Sequence, residues 1–555
     1  MTRRATLLLI LTAALAFGGN RKIAPDLAAM PADKPVDVIV RYTSQPTALH
    51  HQKVERRGGV LRRSLEVVNG ASYSIRGAAV RDLADDPEVE YITPDRAVKA
   101  TLDFAEPAIN ANIAKQYGYD GTGVTVAVID SGIMDSHPDL MTWVSRVVHA
   151  ENFNTSVSDY HDQYGHGTHV AGILGGDASM SSGPGYTRTF LGIAPNVKFV
   201  NLRVLDANGS GTDSMVIAAI QRAIAIKSTY NIKIINLSLG RPVMESYTQD
   251  PLCQAVEQAW KAGIVVVVAA GNEGRNNTMG TGGYGTITSP GNDPYVITVG
   301  AMKDMKTLTR GDDQMASYSS KGPTLFDQVA KPDLVAPGNK IVSALPTGLT
   351  LTNNYPANQV PLSYYVSNGT AKGSPYYFEL SGTSMATPMV SGAAALLLQK
   401  QPGLTPDQVK AKLMKTATKT FPTSSVSTDP VTGAVYTVYY DLFTVGAGYL
   451  DAWAALNNSD NVSNKVALSP LVQYSSTKKV TMVNGTNVVW GDTNMAANVV
   501  WGSQVLMGTN VVWGDNVVWG DSTVSGFNVV WGDNVVWGDS TPSGETSTVA
   551  IYGEK

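Results

Sequence analysis

The sequence predicts an α/β protein built on a doubly wound, mostly parallel sheet, preceded by a small α+β unit and followed by a β-rich or irregular repeat tail. Three observations predict it. Between about Thr101 and Asn458, short apolar runs alternate with helical patterns, the signature of a parallel sheet covered on both faces. Before that, strand and helix patterns alternate in a shorter and more charged segment. After it, one pentapeptide recurs, and the composition shifts to Asn, Gly, Val and Trp.

The chain has 555 residues, 43% of them hydrophobic, a formal net charge of -4 and no long basic block. It can bury a large core, and nucleic acid is a poor partner for it. The one cysteine, Cys253, lies in an amphipathic pattern and reads as a buried thiol, so no intrachain disulfide forms. The start, MTRRATLLLILTAALAFGG, joins two arginines to a thirteen-residue apolar run and the small-x-small sequence Ala14-Leu15-Ala16. That run is too short to span a membrane and has the outline of a secretory signal peptide over residues 1–16. A secreted or cell-surface protein is expected.

Residues 34–100 predict strands at Val36 to Tyr42, near Val60, near Tyr73 and at Val89 to Ile92, with helices near Thr47 to Arg57 and Ala78 to Ala84. No catalytic set gathers there. In the middle segment, residues 124–130, 197–205, 232–240, 264–272 and 295–301 are the apolar strands. Ser214 to Ile226 and Pro251 to Ala262 are helices between them. Asp250 is placed to cap the second, with Pro251 at its first position, and Thr405 to Gln408 has the form of a capping box. Functional residues are expected beyond the carboxyl ends of such strands.

Four motifs could carry chemistry. Asp130 ends the strand VIDSGI, and read by itself it is also an ordinary turn aspartate. YGHGTHVAG brings His166 and His169 to one helix face without the acidic or thiol partners of a metal site. Asn272 follows an all-apolar strand in AAGNEG. SGTSMATP, residues 381–388, offers Ser384 just ahead of an Ala-rich helix running to about Lys400; Ser and Thr there could equally be helix caps. A serine becomes a nucleophile only beside a base.

Together, in the order Asp, His, Ser, these motifs resemble those of the subtilisin-like serine peptidases over residues 101–458. The resemblance implies that Ser384 is the nucleophile and His166 the general base. Asp130 would orient His166, and Asn272 would be the side-chain donor of the oxyanion hole. It implies substrate-binding edges at Ser238, Leu239 and Gly240 and at Gly209, Ser210 and Gly211, with a peptide added between them as a strand. Ala269, Ala270 and Gly271 would wall the specificity pocket. Thr288 would stand at its floor, where many members carry glycine. With no acidic residue in those stretches, the expected preference is broad and apolar-leaning.

Residues 34–100, with VNG and DPEVEYI, resemble the family's ferredoxin-like inhibitory prodomain, an intramolecular partner and folding aid. The chemistry requires no cofactor. Asp139, in SHPDL, matches a position that often ligates a structural calcium, though the loop from Asp177 to Phe190 is Gly- and Ser-rich and offers no firm further ligand.

The tail, residues 459–555, contains NVVWG six times, beginning at Asn487, Asn498, Asn510, Asn516, Asn528 and Asn534, and five copies continue into Asp. Val-Val-Trp favours a short strand and Gly-Asp a turn, with the first valine and the tryptophan on one face. Those faces pack on each other or on the peptidase, or form a strip that contacts a polymer or cell surface. A surface binding protein with a vestigial peptidase is the rival to an enzyme. A vestige should have lost part of the catalytic set, and Asp130, His166, Asn272 and Ser384 are all present.

Overall fold

The structure is a computed structural model that describes residues 22–28, 30–95, 97–100, 107–307, 310–429, 432–460, 466–474, 480–483, 511–512, 518–519 and 553–554. The leader and most NVVWG copies lie outside the described residues. No described helix is long and apolar enough to cross a membrane.

The first unit is a four-stranded antiparallel sheet, order β2-β3-β1-β4, of β1 (Pro35–Tyr42), β2 (Val60–Leu65), β3 (Gly70–Arg76) and β4 (Val89–Pro94). Helices Ala48–Glu55 and Gly77–Ala84 connect it as β-α-β-β-α-β. Its own core gathers Val38, Val40, Val54, Tyr73, Ile75, Val80 and Leu83. A short strand β5 (Ala97–Ala100) follows.

The main sheet has eight strands. It runs β14 (Gln314–Met315), β13 (Ile297–Lys303), β12 (Val265–Ala269), β10 (Ile232–Leu237), β6 (Thr125–Asp130), β8 (Lys198–Arg203), β7 (Val147–Asn152), with β15 (Leu334–Pro337) also against β13. All pairings are parallel except β13 with β14. The apolar runs become strands because both faces are covered: β6 and β12 are buried at every residue. β6 lies where the winding reverses, with β8 on one side and β10 on the other. That switch point opens the crevice in which such folds place their sites.

Helix Thr383–Lys400 packs on β10, β12 and β13 and against helix His166–Gly175, while helices Asp213–Ala225 and Pro251–Lys261 pack together as a further layer. The expected caps are present. Asp250 accepts from the Leu252 amide at 3.0 Å, and Thr405 and Gln408 exchange both capping-box bonds. Cys253 is fully buried, and burial raises its thiol well above the usual range.

The small sheet docks on the second helix layer. Ile39, Leu65 and Val68 enter the main hydrophobic core, each contributing about 1.5–3 kcal/mol as an upper figure for complete burial. Polar contacts fix the orientation: Arg63 donates to the Phe153 carbonyl (2.6 Å), Thr93 to Glu245 (2.9 Å) and the Ser214 amide to Asp95 (2.6 Å). Beyond Asn458 the chain continues to pack on the body around the main sheet. Ser469 donates to Asp333 at 2.6 Å and the Ala330 amide donates to the Pro470 carbonyl at 2.8 Å. Of the repeats, the described pieces Val511–Val512 and Val518–Trp519 pair antiparallel, from two copies six residues apart in sequence.

Candidate active site

Asp130 emerges at the carboxyl end of β6, completely buried. Its Oδ1 accepts from the Ser131 amide (2.7 Å) and lies 2.6 Å from Nδ1 of His166. His166 opens its helix directly after Gly165, whose φ of 114° disfavours any side chain. A Cβ at Gly167 would stand 2.1 Å from the Gly132 carbonyl oxygen, so the His-Gly pair lets the helix start press onto the loop after β6. His169 is also buried, but its Nε2 bonds the Phe378 carbonyl at 3.1 Å, outside this set.

Ser384 lies in the first turn of helix Thr383–Lys400, not ahead of it as the sequence suggested. Its hydroxyl donates to the Ser238 carbonyl at 3.0 Å, and the Ser238 hydroxyl donates to the Ser384 carbonyl at 2.7 Å. The second bond has a local cause. Pro388, four residues on, has no N–H to give that carbonyl, so the helix leaves the acceptor to a strand-edge hydroxyl. Asn272 follows β12; its Oδ1 accepts from the amide and hydroxyl of Thr383 at 2.9 and 3.2 Å. The amide is thereby fixed with its oxygen toward the helix start.

The two expected edges lie on either side of one strand. β9 (Ser210–Thr212) and β11 (Leu239–Gly240) flank β5 in one antiparallel sheet, with Lys99 opposite Ser210 and Gly240, and Ala100 opposite Leu239. Gly209 has φ 74°, and a Cβ there would meet the Tyr164 ring at 2.6 Å. Ala269, Ala270 and Gly271 run on from β12. Thr288 lies between Gly240 and Gly271: its Oγ1 would be 2.6 Å from a Cβ at Gly240, and its Cγ2 2.7 Å from one at Gly271.

The subtilase family model matches residues 121–433, a span that contains all four motif residues and both cleft edges. The chain belongs to the subtilase family. Serine protease AprX of Bacillus subtilis is 38% identical over 359 residues, covering 63% of this chain and 74% of AprX. Subtilisin E of the same organism is 35% identical over 388 residues, covering 68% of this chain and 84% of that protein. In three dimensions, fervidolysin from Fervidobacterium pennivorans, described as a keratinolytic enzyme related to subtilisin, matches with a TM-score of 0.58. It is 21% identical, and the match covers 82% of this chain and 67% of that one. This subtilase is therefore a serine endopeptidase.

Asp139, the expected calcium ligand, has both carboxylate oxygens engaged within the chain. Its Oδ2 accepts from the Tyr377 hydroxyl (2.6 Å) and its Oδ1 from the Met180 amide (3.0 Å), while its carbonyl accepts from the Arg146 guanidinium (2.6 Å). Burial raises this carboxyl to about 6. Among the described residues no group of three His, Cys, Asp or Glu converges to hold a metal.

Two supporting residues escaped the sequence reading. Asp162 accepts from the amides of Tyr164, Gly165 and Thr168 and from the hydroxyls of Ser131 and Thr168, at 2.7–3.1 Å, binding the His166 loop to the loop after Asp130. Arg241, directly after β11, bonds Asp213, directly after β9, at 3.0 and 3.1 Å. It also bonds Asp250 at 2.8 Å, and Asp250 accepts from Ser289 at 2.7 Å, beside Thr288. One buried guanidinium thus ties both cleft edges to the pocket floor. Opposite charges immediately after the two edges were the available signal.

Proposed function

We propose that this subtilase is exported as a precursor in which residues 34–100 are an inhibitory prodomain, and that Ser384 cuts the chain just after β5. The observation that carries this reading is the pairing of β5 between β9 and β11, where an extended substrate would lie. The residues next along the chain are Thr101, Leu102 and Asp103.

In the reaction, the Ser384 hydroxyl adds to the scissile carbonyl carbon and its proton passes to Nε2 of His166. Nδ1 is engaged with Asp130, which holds the tautomer and stabilises the imidazolium. The oxyanion is met by the Ser384 amide and by Asn272 Nδ2, the donor end left by the bonds that Oδ1 makes to Thr383. Collapse expels the amine, which takes the proton from His166. Water, activated by the same histidine, then hydrolyses the ester. Substrates are protein segments able to extend as a strand. Thr288 between the pocket walls favours small and medium apolar side chains over large aromatic ones.

The test is maturation of the full chain in a secreting host. N-terminal sequencing of the product should find a new terminus within a few residues of Ala100, and Ser384→Ala should remain uncleaved and inactive. A Ser384→Ala chain that still cuts itself there when purified would overturn self-processing.

A further inference from the structure

The last described residues return to the peptidase body and enter a built polar seat. Glu554 is 1% exposed. Its Oε1 accepts from Arg275 Nη2 (2.6 Å) and from the Ser317 hydroxyl; both carboxylate oxygens accept from the Ser317 amide at 3.1 Å, and Lys303 Nζ lies 3.6 Å from Oε2. Its backbone is read as well. The Glu554 amide donates to Asn339 Oδ1 (2.8 Å), and Asn339 Nδ2 donates to the Glu554 carbonyl (3.2 Å). Gly553 has φ 63°, and a Cβ there would stand 2.5 Å from Ser381 Oγ and 2.7 Å from Lys340 Cγ. The seat therefore selects Gly-Glu by both shape and charge.

Glu554 brings a carboxylate to two cations at once. The side chains of Arg275 and Lys303 are only 6% and 1% exposed, and Arg275 also pairs with Asp429 at 2.5 Å. Removing Glu554 would take away the carboxylate that faces both cations, and an under-compensated buried charge is strongly destabilising.

We propose that Arg275, Lys303, Ser317 and Asn339 form a carboxylate-binding seat for the chain's own Gly553-Glu554, a latch that fixes the C-terminal end on the peptidase body. With residues 466–474 packed on the same body, residues 475–552 are tied at both ends. A single cut within the repeats then leaves the C-terminal piece bound. The latch adjoins the catalytic groups in sequence: Arg275 is three residues past Asn272, and Ser381 three before Ser384.

The test uses the full chain with Ser384→Ala, so that no self-cleavage intervenes, and a site-specific protease sequence placed after Thr523. After cutting, native mass spectrometry and gel filtration should find the C-terminal fragment retained. A free peptide of sequence VAIYGEK should displace it, and the same peptide with Gln for Glu should do so at least tenfold less well. Glu554→Ala should speed fragment loss at least tenfold, and in the uncut chain should lower Tm by about 3 °C or more. Loss of the fragment from the unaltered chain, or equal retention with Glu554→Ala, overturns the latch.

Discussion

At the scale of single residues, the chemistry depends on how each group is held as much as on its identity. Asn272 is oriented through its oxygen by Thr383, so in the proposed mechanism replacing it with Leu removes one oxyanion donor and leaves β9 and β11 in place. Turnover should fall about 10²–10³-fold with KM little changed, a magnitude taken from loss of the corresponding donor in subtilisin, not from this geometry. A fall below about threefold would mean that another group serves the oxyanion. His169 gives a pH prediction. Burial lowers its pKa from 6.5 to about 3. Between those values the unfolded chain takes up a proton that the folded chain refuses, so this residue's contribution to stability is lost as pH falls from about 6.5 toward 3. In the inactive Ser384→Ala background, His169→Gln should flatten the slope of Tm against pH across pH 6.5 to 4, whatever its effect at neutral pH. An unchanged slope would refute this. The motif residues were legible because each lies in a short run with its neighbours. Asp162 was not, because its partners come from two separate loops. The Tyr377 bond to Asp139 was not legible either, because that hydroxyl comes from 238 residues away.

At the scale of elements, the central strands were legible because a parallel strand buried on both faces must be apolar throughout. β12, Val-Val-Val-Val-Ala, is the extreme case. β7 was missed because it is an edge strand, half-buried along its whole length, and Val-Val-His-Ala-Glu-Asn shows neither alternation nor a continuous apolar run. β5 could not be read from Ala-Val-Lys-Ala at all, since its partners are the walls of the cleft. Those walls make the prediction at this scale. Arg241→Met would leave Asp213 and Asp250 buried without the guanidinium between them, at about 3–5 kcal/mol in stability by thermal or denaturant unfolding. Arg241→Lys keeps the charge but not the fork that reaches both carboxylates. It should raise KM for extended peptides severalfold with kcat nearly preserved. If both variants match the unaltered enzyme in stability and KM, the guanidinium does not set the cleft.

At the scale of the whole molecule, one body carries three segments that the sequence divided. The small sheet covers the helix layer beside the cleft and sends β5 into it. Residues 466–474 close over the Lys331–Asp333–Lys410 cluster, where Ser469 meets both Asp333 and the Lys410 amine. Gly553-Glu554 anchors beside the start of the Ser384 helix. The boundary at 458 was drawn from composition, which changes there. The packing does not change there, because a segment as short as Val466 to Tyr474 can complete a buried polar cluster without any periodic signature of its own. The central claim remains that Ser384 is the nucleophile of a set assembled by Asp130, His166 and Asn272. Its most direct measurement is labelling of the matured enzyme with a fluorophosphonate probe, followed by peptide mass spectrometry. The account predicts a single adduct on Ser384, loss of peptidase activity in step with its formation, and no adduct in His166→Ala. An adduct on another serine, or full activity in enzyme stoichiometrically labelled at Ser384, would contradict it.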